Sequence, residues 1–396
     1  MTDYKLKYPL REWQRQALMK WEHGMRGIVR VVTGGGKTVF AEACTIRFFA
    51  KHPEGIVVIV VPTITLQDQW RSSLMDELGV DPIDINTPKG RLGGKWKRFN
   101  IVVINSARSG FPAGSNPPPT FLVVDECHRS GSAENSKALN RIGAVAHLGL
   151  SATPERQQDE GFTAHIEPAL GPIIFRYGYD QALKDGVICE YVLINIKVPM
   201  SGAERADYEK HTLKVGRVAG AVKAGKVDVQ QLKLALIARS RMATRVMSRL
   251  VTAALLARQH MGDRTIIFHE QIEGCDALNR SLRKAGINSA SYHSKLGDEI
   301  RKSNLHEFRR GTFNTLITCR ALDEGMNAPE TTVAIIASST TSTRQRIQRL
   351  GRVLRPHGKK TKATIYSLYC TESEELILKE EAAGNPRIQV TWLERN

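Results

Sequence analysis

The chain has 396 residues, 41% hydrophobic and 24% charged, with a formal net charge of +17. That length suits two or three domains, each large enough to bury its own core. The charge favours an anionic partner, most simply nucleic acid, and with no apolar run of about eighteen residues a membrane partner is not expected.

The N-terminal stretch M-T-D-Y-K-L-K-Y-P-L lacks the apolar segment of a secretory signal. Six cysteines (Cys44, Cys127, Cys189, Cys275, Cys319, Cys370) are scattered without a C-x-x-C pair. Such spacing speaks against a zinc site or disulfide framework and fits a reducing compartment. The expected setting is cytoplasmic, in a prokaryote or a virus-infected host, with a nuclear one left open.

Strand-length apolar runs occur at 28–32, 56–61, 101–104 and 121–124, and again at 265–268, 315–318, 333–337 and 364–368. Several are unbroken Val/Ile/Leu runs, as expected for parallel strands covered on both faces. Helix-like segments alternate with them, at 38–50, 65–78 and 273–285. The alternation occurs twice, with a break over about 155–198, and predicts an α/β fold of two tandem domains, 1–188 and 189–396. Residues 201–261 read as a helical insertion near the start of the second domain, interrupted by Gly216, Gly220 and Gly225. The Pro/Gly-rich stretch 110–119 reads as surface loop.

The motif V-V-T-G-G-G-K-T, 31–38, follows the first strand-like run and opens the first helix-like one. Three consecutive glycines are entropically costly, and a bound phosphate is a reason for them. Thr33, Gly34, Gly35, Gly36 and Lys37 would then cradle phosphates, with the Thr38 hydroxyl on a magnesium ion. The strict pattern G-x-x-x-x-G-K-S/T fails at its first position, which is Val31. D-E-C-H, starting at Asp125, follows the strand-like F-L-V-V. Asp125 could hold magnesium and Glu126 could take a proton from an attacking water. In L-S-A-T-P, Ser151 and Thr153 offer hydroxyls to that acidic pair. The densest basic cluster, S-T-R-Q-R-I-Q-R-L-G-R-V-L-R-P at 342–356, puts Gln345, Gln348 and Arg349 on one helical side, and Arg352 with Arg355. Guanidinium groups there could stabilise a γ-phosphate. Trp96, between Lys95 and Lys97-Arg98, could stack a base, and 357–362 is a second basic loop. Lys210, Lys214, Arg217, Lys223, Lys226 and Lys233 make the helical segment a candidate DNA-gripping element.

In order the chain also carries L-R-E-W-Q (10–14), V-P-T-I-T-L-Q-D-Q-W (61–70), I-I-F-H (266–269) and T-C-R-A-L-D-E-G-M-N-A-P (318–329). With the motifs above, this resembles a superfamily 2 DExH-box helicase, closest to the XPB-like and UvsW-like helicases and the motor subunits of type I and III restriction enzymes. The resemblance implies two RecA-like parallel-sheet domains with an inter-domain ATP cleft, and ATP with Mg2+ as cofactors. By position it assigns Arg11 and Gln14 to adenine recognition, and Gly34, Gly36, Lys37 and Thr38 to the phosphate loop. Asp125 and Glu126 become the metal-organising and water-activating pair, and His128 a coupling residue. Gln348 would face the nucleotide, with Arg352 and Arg355 as arginine fingers. Thr63, Ser106 and Thr318 fall in motifs that touch the nucleic-acid backbone. Glu324, Gly325 and Asn327 stand where the family has Glu-Gly-x-Asp, so a neutral Asn replaces the ribose-side carboxylate.

The implied function is an ATP-dependent helicase or translocase on single-stranded, forked or branched DNA, serving replication, recombination or repair. The alternatives are an ATPase clamp without strand separation, or a motor subunit working beside a nuclease or replication factor.

Overall fold

The structure is a computed structural model describing residues 4–88, 96–108, 118–154, 160–319, 331–338, 362–383 and 389–395. The chain divides into two units, Met1–Val187 and Ile188–Asn396. Each is built on one seven-stranded sheet.

In the first unit the strands are β1 (Arg26–Val31), β2 (Ile56–Val61), β3 (Ile85–Asn86), β4 (Phe99–Val103), β5 (Thr120–Asp125), β6 (Ala146–Ser151) and β7 (Ile173–Tyr177). Their order across the sheet is β3-β4-β2-β5-β6-β1-β7, and every pairing is parallel. The sequence I-V-V-I-V-V of β2 is buried at all six positions. Such a strand is stable only with helices on both faces, which is why the run does not alternate. The expected helices are present as Lys37–Lys51 and Ile64–Asp76. Ile28, Val58, Val60, Val102, Leu122 and Val124 form the centre of one core layer.

The second unit contains β8 (Glu190–Lys197), β9 (Thr265–His269), β10 (Ser289–Tyr292), β11 (Thr315–Cys319), β12 (Val333–Ile336), β13 (Lys362–Tyr369) and β14 (Gln389–Glu394). Their order is β10-β11-β9-β12-β13-β8-β14, again parallel at every pairing. Both halves are therefore α/β parallel-sheet units, as the alternation predicts.

Two expectations need correction. The stretch 155–198 is no simple break: it carries β7, which closes the edge of the first sheet beside β1, and β8 of the second. The helical segment is three helices, Gly202–Lys223, Val229–Thr244 and Met247–Gln259. Gly216 and Gly220 lie inside the first rather than interrupting it; only Gly225, at φ 68°, marks a turn. A capping box between Ser201 and Glu204 starts that helix. Over its 22 residues, two glycines at about 1 kcal/mol each are tolerated.

Candidate nucleotide and nucleic-acid site

Because every pairing in the first sheet is parallel, the segments following β1, β2, β4, β5 and β6 all leave from one edge. That edge carries the phosphate-loop motif, Thr63, Ser106, the Asp125–Glu126 pair and Ser151–Thr153. It is also where α/β sheets bind ligands, since chain order reverses around β1.

The glycines of the loop have separate reasons. Gly34 and Gly36 adopt φ of 87° and 95°, a region that L side chains avoid. A Cβ on Gly35 would lie 2.6 Å from Val31 Cγ1. Gly36 caps the Lys37–Lys51 helix, so Lys37 and Thr38 begin its first turn, where the helix dipole favours an anion. Two side chains of the Glu12–Gly24 helix hold the loop: Trp13 Nε1 donates to Gly35 O at 3.1 Å, and Gln14 Nε2 to Gly36 O at 2.9 Å. Gln14 Oε1 accepts from the Arg11 amide at 2.7 Å, so both ends of that amide are engaged by backbone. Lys37 Nζ donates to Val31 O at 3.3 Å.

Asp125 ends β5. Its Oδ1 accepts from the Glu126 amide and its Oδ2 from Trp70 Nε1, each at 2.9 Å. Burial, then repulsion from Glu126, push its carboxyl up to about 6, against the opposing pull of Lys37 and Trp70. Glu126 sits in the left-handed region at φ 48°, a strained conformation of the kind found at functional sites. Its Oε2 lies 3.4 Å from His128 Nδ1, which is 3.0 Å from Ser151 Oγ. The Thr153 amide donates to that same Oγ at 3.1 Å. The structure thus joins Glu126, His128, Ser151 and Thr153 in one chain of contacts. Thr33 Oγ1 and Thr153 Oγ1 are buried without a partner among the described residues. Both hydroxyls lie on the loop-bearing edge, where a bound ligand would supply them a partner. Thr38 and Asp125 offer hard oxygen donors of the kind that suits magnesium.

Thr63 caps the Ile64–Asp76 helix, its hydroxyl accepting from the Leu66 amide at 3.4 Å, and Ser106 lies in the short Ile104–Ala107 helix. Trp96 is half-buried against the hydrophobic core, so part of its ring is engaged in packing rather than open to a base. In the second unit Thr318, on β11, is buried with its hydroxyl unpartnered among the described residues. Beside it a cavity of about 380 Å³ is lined by Arg241, Arg245, Glu270, Glu273, Lys295 and Cys319 among others, with Lys295 Nζ donating to Glu273 Oε1 at 3.2 Å. Glu324, Gly325, Asn327, Gln348, Arg352 and Arg355 lie outside the described residues.

Sequence reasoning missed Trp13 and Trp70, which donate to the loop and to Asp125. Each is part of a quoted motif, yet indole contacts across 22 and 55 residues leave no local signal.

Fold and site define a phosphate-loop ATPase with RecA-like halves. Residues 7–156 match the family model of the type III restriction enzyme res subunit, and residues 246–357 that of the helicase conserved C-terminal domain. A DNA 3'-5' translocase XPB2 of Sulfurisphaera tokodaii is 26% identical over 90% of this chain and 80% of its own length. A DNA 3'-5' helicase XPB of Kineococcus radiotolerans is 24% identical over 93% of this chain, which spans 61% of that relative. By fold, S. cerevisiae Dbp5 bound to RNA and ADP BeF3 matches with a TM-score of 0.65 at 14% identity, over 97% of this chain and 89% of that one. The HsdR fragment of a type I restriction enzyme from Vibrio vulnificus matches at 0.63 and 18%, over 98% and 70%. The chain belongs to superfamily 2 of ATP-driven, nucleic-acid-binding helicases and translocases, close to the XPB-like group.

Proposed function

We propose that the chain is an ATP-dependent DNA translocase or helicase acting in replication, recombination or repair, with ATP held on the loop-bearing edge of the first sheet. The observation that carries this reading is the edge of the first sheet, where a built phosphate loop, an acidic pair with Glu126 in a left-handed backbone, and its His–Ser–Thr contacts converge. Lys37 neutralises phosphate charge, while Arg11 and Gln14 select adenine. Thr38 and Asp125 would hold Mg2+, which when bound would neutralise phosphate charge and polarise the phosphoryl group. Glu126 orients the attacking water and accepts its proton. His128, Ser151 and Thr153 connect that carboxylate to the rest of the edge, so its position depends on theirs. Gln348, Arg352 and Arg355 would add to the charge stabilisation of the transferred phosphoryl group. Thr63, Ser106 and Thr318 would contact the nucleic-acid backbone without reading sequence, and Trp96 would stack a base on the part of its ring left open.

DNA is favoured over RNA by the named activities of the XPB relatives. A cytoplasmic setting belongs to this reading, with a nuclear one left open. Among the described residues no helix is long and apolar enough to cross a membrane. A nuclease or replication factor is the natural protein partner.

The test is ATP hydrolysis titrated with single-stranded, duplex and branched DNA and with RNA. DNA should stimulate wild type, and Lys37→Ala should lower kcat about 100- to 1000-fold. Hydrolysis that ignores every polymer overturns the motor reading. Stimulation without displacement of a forked duplex assigns the chain to translocation or clamping instead of unwinding.

A further inference from the structure

The Ile64–Asp76 helix touches several parts of the nucleotide site at once. Gln67, Trp70 and Leu74 form its buried face, spaced three and four residues apart. At its start Thr63 is the cap. Gln67 Nε2 donates to Ile101 O at 2.6 Å, on the strand leading into the helix that bears Ser106. Trp70 Nε1 donates to Asp125 Oδ2 at 2.9 Å. Ser73 Oγ donates to Glu42 Oε1 at 2.8 Å, on the helix that begins at Lys37. One rigid element therefore runs from a backbone-contacting motif to the acidic pair and to the phosphate-loop helix.

The Asp125 carboxylate is held by two N–H donors from different elements, the Glu126 amide on one oxygen and the Trp70 indole on the other. Two donors on two oxygens fix the plane of the group and leave lone pairs on both for a further ligand. Trp70 is 3% exposed, so water does not compete for the bond. Outer partners of this kind set how well a carboxylate holds a metal.

We propose that Trp70 is a positioning residue for Asp125, and that its helix carries contact at Thr63 to that carboxylate. This rests on Asp125 holding Mg2+ and Thr63 touching nucleic acid, as in the function proposed above. The N–H is the part that matters, because the ring could fill the same space without it. Loss of the donor frees the carboxylate to rotate, which weakens metal-dependent nucleotide binding but leaves the phosphate loop itself intact.

Trp70→Phe removes the donor, and Trp70→benzothienylalanine removes it while keeping the bicyclic shape; the second decides if the first fails to fold. Binding of fluorescent mant-ADP with and without Mg2+ is read beside ATPase activity with and without single-stranded DNA. Affinity for Mg·ADP should fall about 10- to 100-fold, with metal-free ADP affinity unchanged. With DNA present, KM for Mg·ATP should rise by a similar factor, and kcat should fall as well. The ratio of stimulated to unstimulated rate should also drop. Equal losses with and without metal mark a merely structural residue and overturn the proposal, as does unchanged Mg·ADP affinity. A lower kcat at an unchanged stimulation ratio overturns the link through the helix. A wild-type chain that binds Mg·ADP but ignores nucleic acid instead overturns the motor reading and the Thr63 link, and ADP binding alone then decides the role of Trp70.

Discussion

Glu42 shows how a single buried carboxyl can make this chain sensitive to pH. It lies on the phosphate-loop helix at 1% exposure, and burial raises its carboxyl to about 8, against the bond from Ser73. The folded chain therefore keeps it neutral where the unfolded chain ionises it. The stability this contributes is complete below the usual glutamate value, about 4.5, and is lost as pH rises through about 8. Within that window stability falls by about 1.4 kcal/mol per pH unit from this group. Glu42→Gln cannot ionise, so its melting temperature should decline less than that of wild type between about pH 6 and pH 8. Parallel declines in a calorimetric series would show that Glu42 does not control this window. Asp125 is raised for the same first reason, burial. At the residue scale the motifs were legible because the glycine loop leading to Lys37 and Thr38 follows one strand-like run and Asp125–Glu126 follows another. The roles of Trp13 and Trp70 were not, because an indole finds its acceptor only after the sheet has brought it near.

Among the elements, the Gly202–Lys223 helix stands apart because it buries none of its residues. Its stability rests on its capping box and on packing against the Val229–Thr244 helix. Lys210, Lys214 and Arg217 are exposed and share one side through spacings of four and three. A helix with no core to serve can present charge to a polymer. Replacing all three with Gln should weaken single-stranded DNA binding and reduce the slope of log affinity against log salt by about 2, at roughly 0.7 per lost phosphate contact. An unchanged slope would place these charges in water only. Glycine misled here. Gly216 and Gly220 read as breaks, yet each stands where a Cβ would meet open space, so neither marks a turn or close packing.

At the scale of a whole unit, Arg249 ties the second sheet together. It is fully buried and donates to Ala243 O, Ala337 O and Leu368 O, and to both oxygens of Glu374 at 2.6 Å. Those partners come from the ends of two helices and two strands, so the side chain fixes elements far apart in sequence. Arg249→Met removes the guanidinium from three carbonyls and from Glu374, which keeps the Cys370 and Thr371 donors but loses its countercharge, and should cost about 3–5 kcal/mol in a denaturant titration. A loss below about 1 kcal/mol would mean that packing, not this network, holds the unit.

The amino-acid sequence by itself determined the class: unbroken apolar runs demand covered parallel strands, and motif order along the chain specifies the phosphate chemistry. Backbone preference and burial are local or periodic properties, so they can be read in one dimension. Tertiary structure decided what the sequence left open. It put Ile173–Tyr177 into the first sheet and Glu190–Lys197 into the second, turned Gln14 and Trp13 onto the loop carbonyls, and set Trp70 against Asp125. Each depends on which strands become neighbours. With an order of β3-β4-β2-β5-β6-β1-β7, those neighbours lie far apart along the chain.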